Sequence, residues 1–140
     1  MDLKDWKRIA EHEVYSYRDH QAYVQGVLDC GKISGGEKLH HCAKWALAVD
    51  YALRYLKQHD PLKARFFTEL FGIERPLRRR SEARSIIALS MELNVAPPTL
   101  YKWKNEALSL VLIAAAQTGA LRPYALDAWD PPQDASRETR

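Results

Sequence analysis

Ser81-Glu-Ala-Arg-Ser-Ile-Ile-Ala-Leu-Ser-Met-Glu-Leu-Asn-Val-Ala-Pro-Pro-Thr-Leu-Tyr-Lys-Trp-Lys-Asn-Glu106 is the stretch whose reading decides the fold. Ile86, Leu89, Ser90 and Leu93 recur at i, i+3, i+4 and i+7, the stripe of a helix packed on a neighbour. Asn94 follows where the chain must turn sharply, and Asn tolerates the left-handed conformation better than any residue but Gly. Val95 is placed to plug the gap between two helices. Pro97 suits the first position of the second one, where its fixed φ helps and its missing N–H costs nothing. Leu100 and Trp103 then point back to the core. Pro97, Pro98, Tyr101, Lys102 and Asn105 face outward, the face that a recognition helix offers to the DNA major groove. Spacing, turn chemistry and charge agree on a helix-turn-helix. The competing reading is an ordinary helical corner in an all-α core.

Charge is concentrated around this stretch. Arg75, Arg78, Arg79, Arg80, Arg84, Lys102 and Lys104 face only Glu82 and Glu92 between residues 75 and 104, a local net of +5. Residues 1–74 are neutral and residues 105–140 carry −2, so the chain's formal +3 conceals a basic segment. A polyanion responds to that local field rather than to the mean. Alone, Arg78-Arg79-Arg80 reads as a solvated linker. Directly ahead of a helix-turn-helix it reads as a phosphate clamp, because guanidinium groups meet phosphate oxygens bidentately.

The rest of the chain is helix-compatible throughout. Leu3 to about Leu28 carries Trp6, Ile9, Ala10, Val14, Tyr17, Val24, Val27 and Leu28 near helical spacing, with a break possible near Asp19-His20. Gly31 to Gly36 is a loop; it has neither the Gly-Lys-Ser/Thr ending nor the preceding β run of a phosphate-cradling loop. From Glu37 to about His59, Leu39, Cys42, Ala46, Val49, Leu53 and Leu56 recur at alternating steps of 3 and 4. That seam serves either intramolecular bundle packing or a dimer contact. Asp60 and Pro61 start a shorter helix with Leu62, Phe66, Leu70 and Phe71 buried, stopped by Gly72. Ser81 is available to cap the next helix. The recognition helix runs on without a breaker to Thr118, with Gly119 as its stop, and its apolar run Leu108–Ala116 needs burial on several faces. A partner could supply that burial, and so could insertion between the first two helices. Arg122–Trp129 is readable as an arm docking through Tyr124, Leu126 and Trp129, and Asp130–Arg140 has too little apolar matter to fold.

Chain length supports one domain with appendages, and 46% apolar residues are enough for a core. No run is long and apolar enough to span a membrane, and Met1–Lys7 has no apolar h-region, so a cytoplasmic location is expected. Cys30 and Cys42 are then expected as free thiols. No metal or other cofactor is expected: on its own helix His41 has only Glu37 at ligand spacing. The pairs His12/Glu13 and Asp19/His20 read as surface charges. No nucleophile motif stands out, so enzymatic activity is not expected.

The order of elements, a helix begun by Asp60-Pro61-Leu62, then Phe66-Phe67-Thr68-Glu69-Leu70-Phe71, a basic connector and the helix-turn-helix, resembles small phage-type transcriptional regulators of the RinA and ArpU kind. These look like the promoter-reading region 4 of sigma factors. The family pattern Leu-Gly-Val-Ser-x-x-Thr-Val-Tyr-Arg-Trp falls on Leu93 to Trp103, and the likeness covers roughly residues 51–110. Asn94 stands where the family has Gly. Ala96 replaces the capping Ser, a loss of about 1 kcal/mol.

These readings lead to one expectation: an all-α protein with an N-terminal helical hairpin and a C-terminal helix-turn-helix with a long, extended recognition helix. Residues 1–60 form the hairpin and oligomerisation part, 61–122 the DNA-binding part, and 123–140 the arm and tail. The expected partner is duplex DNA, read by a homodimeric transcriptional regulator, with RNA polymerase as a further candidate partner. Pro98, Tyr101, Lys102 and Asn105 are assigned to base edges; Arg78, Arg79, Arg80, Arg84, Thr99 and Lys104 are assigned to phosphates. Two alternatives stay open: a protein-interaction module without DNA binding of its own, and a DNA-packaging adaptor like a small terminase subunit.

Overall fold

The computed structural model describes residues 2–31, 36–74 and 85–124. The described residues are helical, without a strand, and the fold class is all-α as expected. Among the described residues, six helices of eight residues or more follow in order: α1 (Leu3–Tyr15), α2 (Tyr17–Asp29), α3 (Gly36–His59), α4 (Pro61–Phe71), α5 (Ile86–Leu93) and α6 (Pro97–Thr118). None is long and apolar enough to cross a membrane.

Local chemistry explains the helix ends. Asp2 and Asp5 close a capping box at the start of α1, each side chain accepting from the other's backbone N–H. The expected first helix is interrupted at Ser16, earlier than Asp19-His20. The Ser16 hydroxyl donates to the His12 carbonyl four residues back, a bond that competes with the helix ladder and bends the chain. Asp60 caps α4 from ahead of Pro61, and Gly72 ends it in the left-handed region at φ 68°. Ser85 caps α5, its hydroxyl accepting from the Ala88 N–H at 3.0 Å, and Ser81, expected as a cap, lies outside the described residues.

The break at Ser16 lets the two halves of the first helical stretch serve different neighbours. α2 packs along α3, whereas α1 lies mainly against α6. Glu11 of α1 meets Lys104 of α6 and the two helices flank a groove at Tyr101–Leu108, while farther along α6 Val111, Leu112, Ala114 and Ala115 are buried. The apolar run therefore resolves in cis: α6 lies along both α1 and α3, and the threonine hydroxyl at its end, Thr118, donates to the Lys44 carbonyl. Cys42, Ala46, Val49, Leu53 and Leu56 of the α3 seam are buried within the same chain. One cluster joins Trp45, Phe66, Phe67, Phe71, Leu89, Leu100 and Val111, so residues before and after position 60 share a core. Cys30 is an exposed free thiol and Cys42 a buried one.

Candidate nucleic-acid interface

The turn between α5 and α6 is built as its residue types dictate. Asn94 adopts φ 57° and ψ 47°, making it the one non-glycine residue with positive φ among those described. The Ser90 hydroxyl donates to the Val95 carbonyl at 2.6 Å, fixing the far side of the turn. Val95 packs partly buried on the core, between Leu89 and Leu93 of α5 and Leu100 of α6, which are buried. Ala96 precedes α6 in extended geometry with no side-chain cap, as its missing hydroxyl requires.

Four long-range interactions clamp this unit to α4. Lys63 donates to the Glu106 carboxylate at 2.7 Å and lies 5.8 Å over the Trp103 ring. The bond to Glu106 is the main reason the Lys63 ammonium is held above its ordinary pKa. Arg65 reaches Glu92 at 3.0 Å, and Phe66 meets Trp103 edge-on. Trp103 thus turns inward, and the opposite face of α6 is left open. Pro98, Tyr101, Lys102 and Asn105 are all exposed on it, at i, i+3, i+4 and i+7, with Tyr101 54% exposed. Thr99 is half-buried. Lys104 is partly buried and pairs with Glu11 of α1 at 2.8 Å, so part of its charge is balanced within the molecule. Arg78, Arg79, Arg80 and Arg84 lie outside the described residues.

Beside the open face runs a groove of about 490 Å³ between α1 and α6. Lys4, Lys7 and Arg8 line one wall; Tyr101, Lys104 and Asn105 line the other. These α1 cations were missed in the sequence. Their i, i+3, i+4 spacing marks a basic face on α1, but nothing local says that the face borders the proposed recognition helix.

A second group escaped sequence reasoning altogether. Glu13 and His20 are buried, at 4% and 8% exposure, rather than lying on the surface. His20 Nε2 sits 2.7 Å from Glu13 Oε1, and His41 Nε2 lies 3.3 Å from Glu13 Oε2. The Tyr124 hydroxyl donates to Glu13 Oε2 at 2.6 Å, and His20 Nδ1 is 3.3 Å from Cys42 Sγ. Burial pushes the Glu13 carboxyl up, but the bonds from His20 and Tyr124 and the charge that the two histidines carry when protonated outweigh it. The net effect holds the carboxyl below its ordinary range. Burial, then the bond to Glu13, pushes the Tyr124 phenol upward. The available signal was Glu13 itself: with Trp6, Ala10, Tyr17 and His20 it falls on an apolar stripe of steps 4, 3, 4 and 3. A carboxylate on such a stripe needs partners, and those partners come from elsewhere in the chain.

No protein-family model, curated protein or solved structure matches the chain.

Proposed function

We propose that the chain is a sequence-specific duplex-DNA-binding transcriptional regulator that reads the major groove with the first turns of α6. One observation carries this reading: Tyr101, Lys102 and Asn105 share an exposed face of a helix set by a left-handed Asn turn, next to a groove walled by Lys4, Lys7 and Arg8. Lys suits guanine, Asn suits adenine, and the Tyr ring can meet a thymine methyl. The α1 cations, together with the basic segment from Arg78 to Arg84, would neutralise phosphates and fix register. Pro97 and Pro98 remove two backbone donors from the start of α6, so phosphate contact there falls to side chains. The resemblance of residues 51–110 to phage-type regulators of the RinA and ArpU kind supports the same reading, and with it a cytoplasmic, RNA-polymerase-linked role.

Paired half-sites would call for a homodimer. The α3 seam and the buried side of α6 are occupied in cis, which leaves the exposed stripe Leu47, Tyr51 and Tyr55 on α3 for a second copy. A packaging adaptor would use a helix-turn-helix in the same way but assemble into rings.

The test is fluorescence anisotropy with a random-sequence duplex across a salt series, with light scattering on the same sample. Binding should weaken steeply, log K falling by about 0.9 per phosphate contact for each unit of log salt. Dimers fit the regulator and rings the adaptor. Absence of binding at low salt would remove autonomous DNA recognition and leave a protein-interaction module.

A further inference from the structure

We propose that Glu13, His20 and His41 form a binding site for one divalent transition-metal ion of the zinc class. The three residues come from α1, α2 and α3, and one ligand atom from each lies within 4.8 Å of the other two. Donors to a single zinc ion, at about 2.0–2.2 Å from it, stand roughly 3–4 Å apart. The group is therefore one small adjustment from ligation: the Glu13–His20 pair opens slightly and His41 moves inward. His41 is the residue free to do so, because its side chain is 34% exposed whereas that of Glu13 is 6% exposed.

The surroundings fit a metal centre. Two imidazoles and one carboxylate select zinc, cobalt, nickel or copper over magnesium or calcium, which prefer oxygen alone. Cys42 Sγ lies against His20 Nδ1, the outer contact that orients a ligating imidazole and leaves Nε2 for the ion. Tyr124 bonds to Glu13 Oε2 and orients the carboxylate in the same way. A groove of about 590 Å³, with His41, His40, Lys44, Arg122 and Pro123 on its walls, gives access from solvent. The buried indole of Trp45 stands edge-on to the Tyr124 ring and backs the residue that holds Glu13. Three protein ligands and one open position are the pattern of zinc sites that exchange ligands rather than closed four-ligand staples.

A self-contained hydrogen-bond network is the competing account, and a titration separates the two. The full chain, with any affinity tag removed and metal stripped by a chelator, is titrated with Co²⁺ by visible absorption and with Zn²⁺ against a chromophoric chelator. The site should take up one equivalent of Co²⁺ with the intense bands of a low-coordinate ion, and Zn²⁺ should displace it. His41→Ala should weaken Zn²⁺ binding at least about tenfold, since losing even an outer-shell partner costs that much. His12→Ala and His59→Ala, at exposed histidines outside the cluster, should leave it unchanged. Histidine NMR of the unmutated chain gives a second measurement, independent of whether His41→Ala folds: one equivalent of Co²⁺ should broaden His20 and His41 most and spare His59, at the far end of α3. No saturable binding, retained affinity in His41→Ala, or Co²⁺ broadening that leaves His20 and His41 untouched would overturn the site.

Discussion

The two ends of α1 treat charge in opposite ways. At the first, Lys4 and Arg8 stand in solvent beside α6, with Lys7 only partly covered, and among the described residues the groove's one carboxylate is Glu11, itself paired with Lys104. At the second, Glu13 is buried, with His20, His41 and Tyr124 on its two oxygens. Exposed cations are screened and contribute little to folding, so they remain available to an outside polyanion. A buried carboxylate is stable only when its lone pairs are met, so it is bound into the fold. The helix thus has an outward-facing end and an inward-facing end, separated by about two turns. Ala10 and Val14, fully buried, anchor the second.

Breaking the inward end should have the largest effect. Glu13→Ala leaves the His20 and Tyr124 donors without their acceptor, and should lower stability by about 3 kcal/mol in urea unfolding. The salt dependence of any DNA binding by the remaining folded protein should be unchanged. Loss of under about 0.5 kcal/mol would show that the cluster is not stabilising.

Acid should act on the same end. The Glu13 carboxyl is held below its ordinary range, so in that window the unfolded chain binds more protons than the folded one, and stability rises with pH. Its contribution is present above the unfolded value and lost as pH falls through the folded value. Urea midpoints measured across the acid range should therefore fall more steeply for the unmodified chain than for Glu13→Gln. Parallel curves would remove Glu13 as the cause.

Effects at the outward end should fall on binding rather than on folding. Lys102→Ala should weaken the preferred site by about 1–3 kcal/mol while barely affecting random DNA, if the side chain reads a base. Arg8→Ala should weaken all sequences alike, by under about 1 kcal/mol, and lower the salt slope by about 1. Equal, salt-insensitive losses in both would sink this division of roles. The smallest expected change is Ala96→Ser, which supplies the hydroxyl missing ahead of α6. It should raise the urea midpoint by an amount worth about 0.5–1 kcal/mol, with Kd for random DNA little altered.

Much of the fold was legible because short-range chemistry sets it. The Asn94 turn, the Asp60 cap with Pro61, the Gly72 and Gly119 stops and the buried faces of α3 and α4 each follow from residues within a turn or two of one another, except that Leu62, expected in the buried stripe of α4, is exposed in its first turn. The outward face of Pro98, Tyr101, Lys102 and Asn105 followed as well, since Leu100 and Trp103 fix which side of α6 turns inward. The interruption at Ser16 was misplaced because a serine that bonds back to a carbonyl four residues earlier looks like any exposed helix serine in a pattern of apolar spacing.

The site residues divide along the same line. Lys102 and Asn105 could be named from spacing, whereas Lys4, Lys7 and Arg8 could not be tied to them, because about ninety residues of chain separate the two walls of the groove. Glu13, His20 and His41 were judged one helix at a time, each against its own i+3 and i+4 neighbours. By that measure each lacks partners; in space they have one another.

The sequence by itself determined that the fold class is all-α, where most of the described helices start and stop, and which side of α6 carries exposed polar side chains. These are consequences of backbone preference and of the 3.6-residue repeat, which act over a few residues. Only the tertiary structure decided that α6 lies in cis along α1 and α3, that the basic face of α1 borders α6, and that a carboxylate and two imidazoles from three helices meet below the surface. Those outcomes depend on how amphipathic faces of comparable apolarity choose among one another. That choice is made by the summed packing and polar satisfaction of the whole core, which no single segment records.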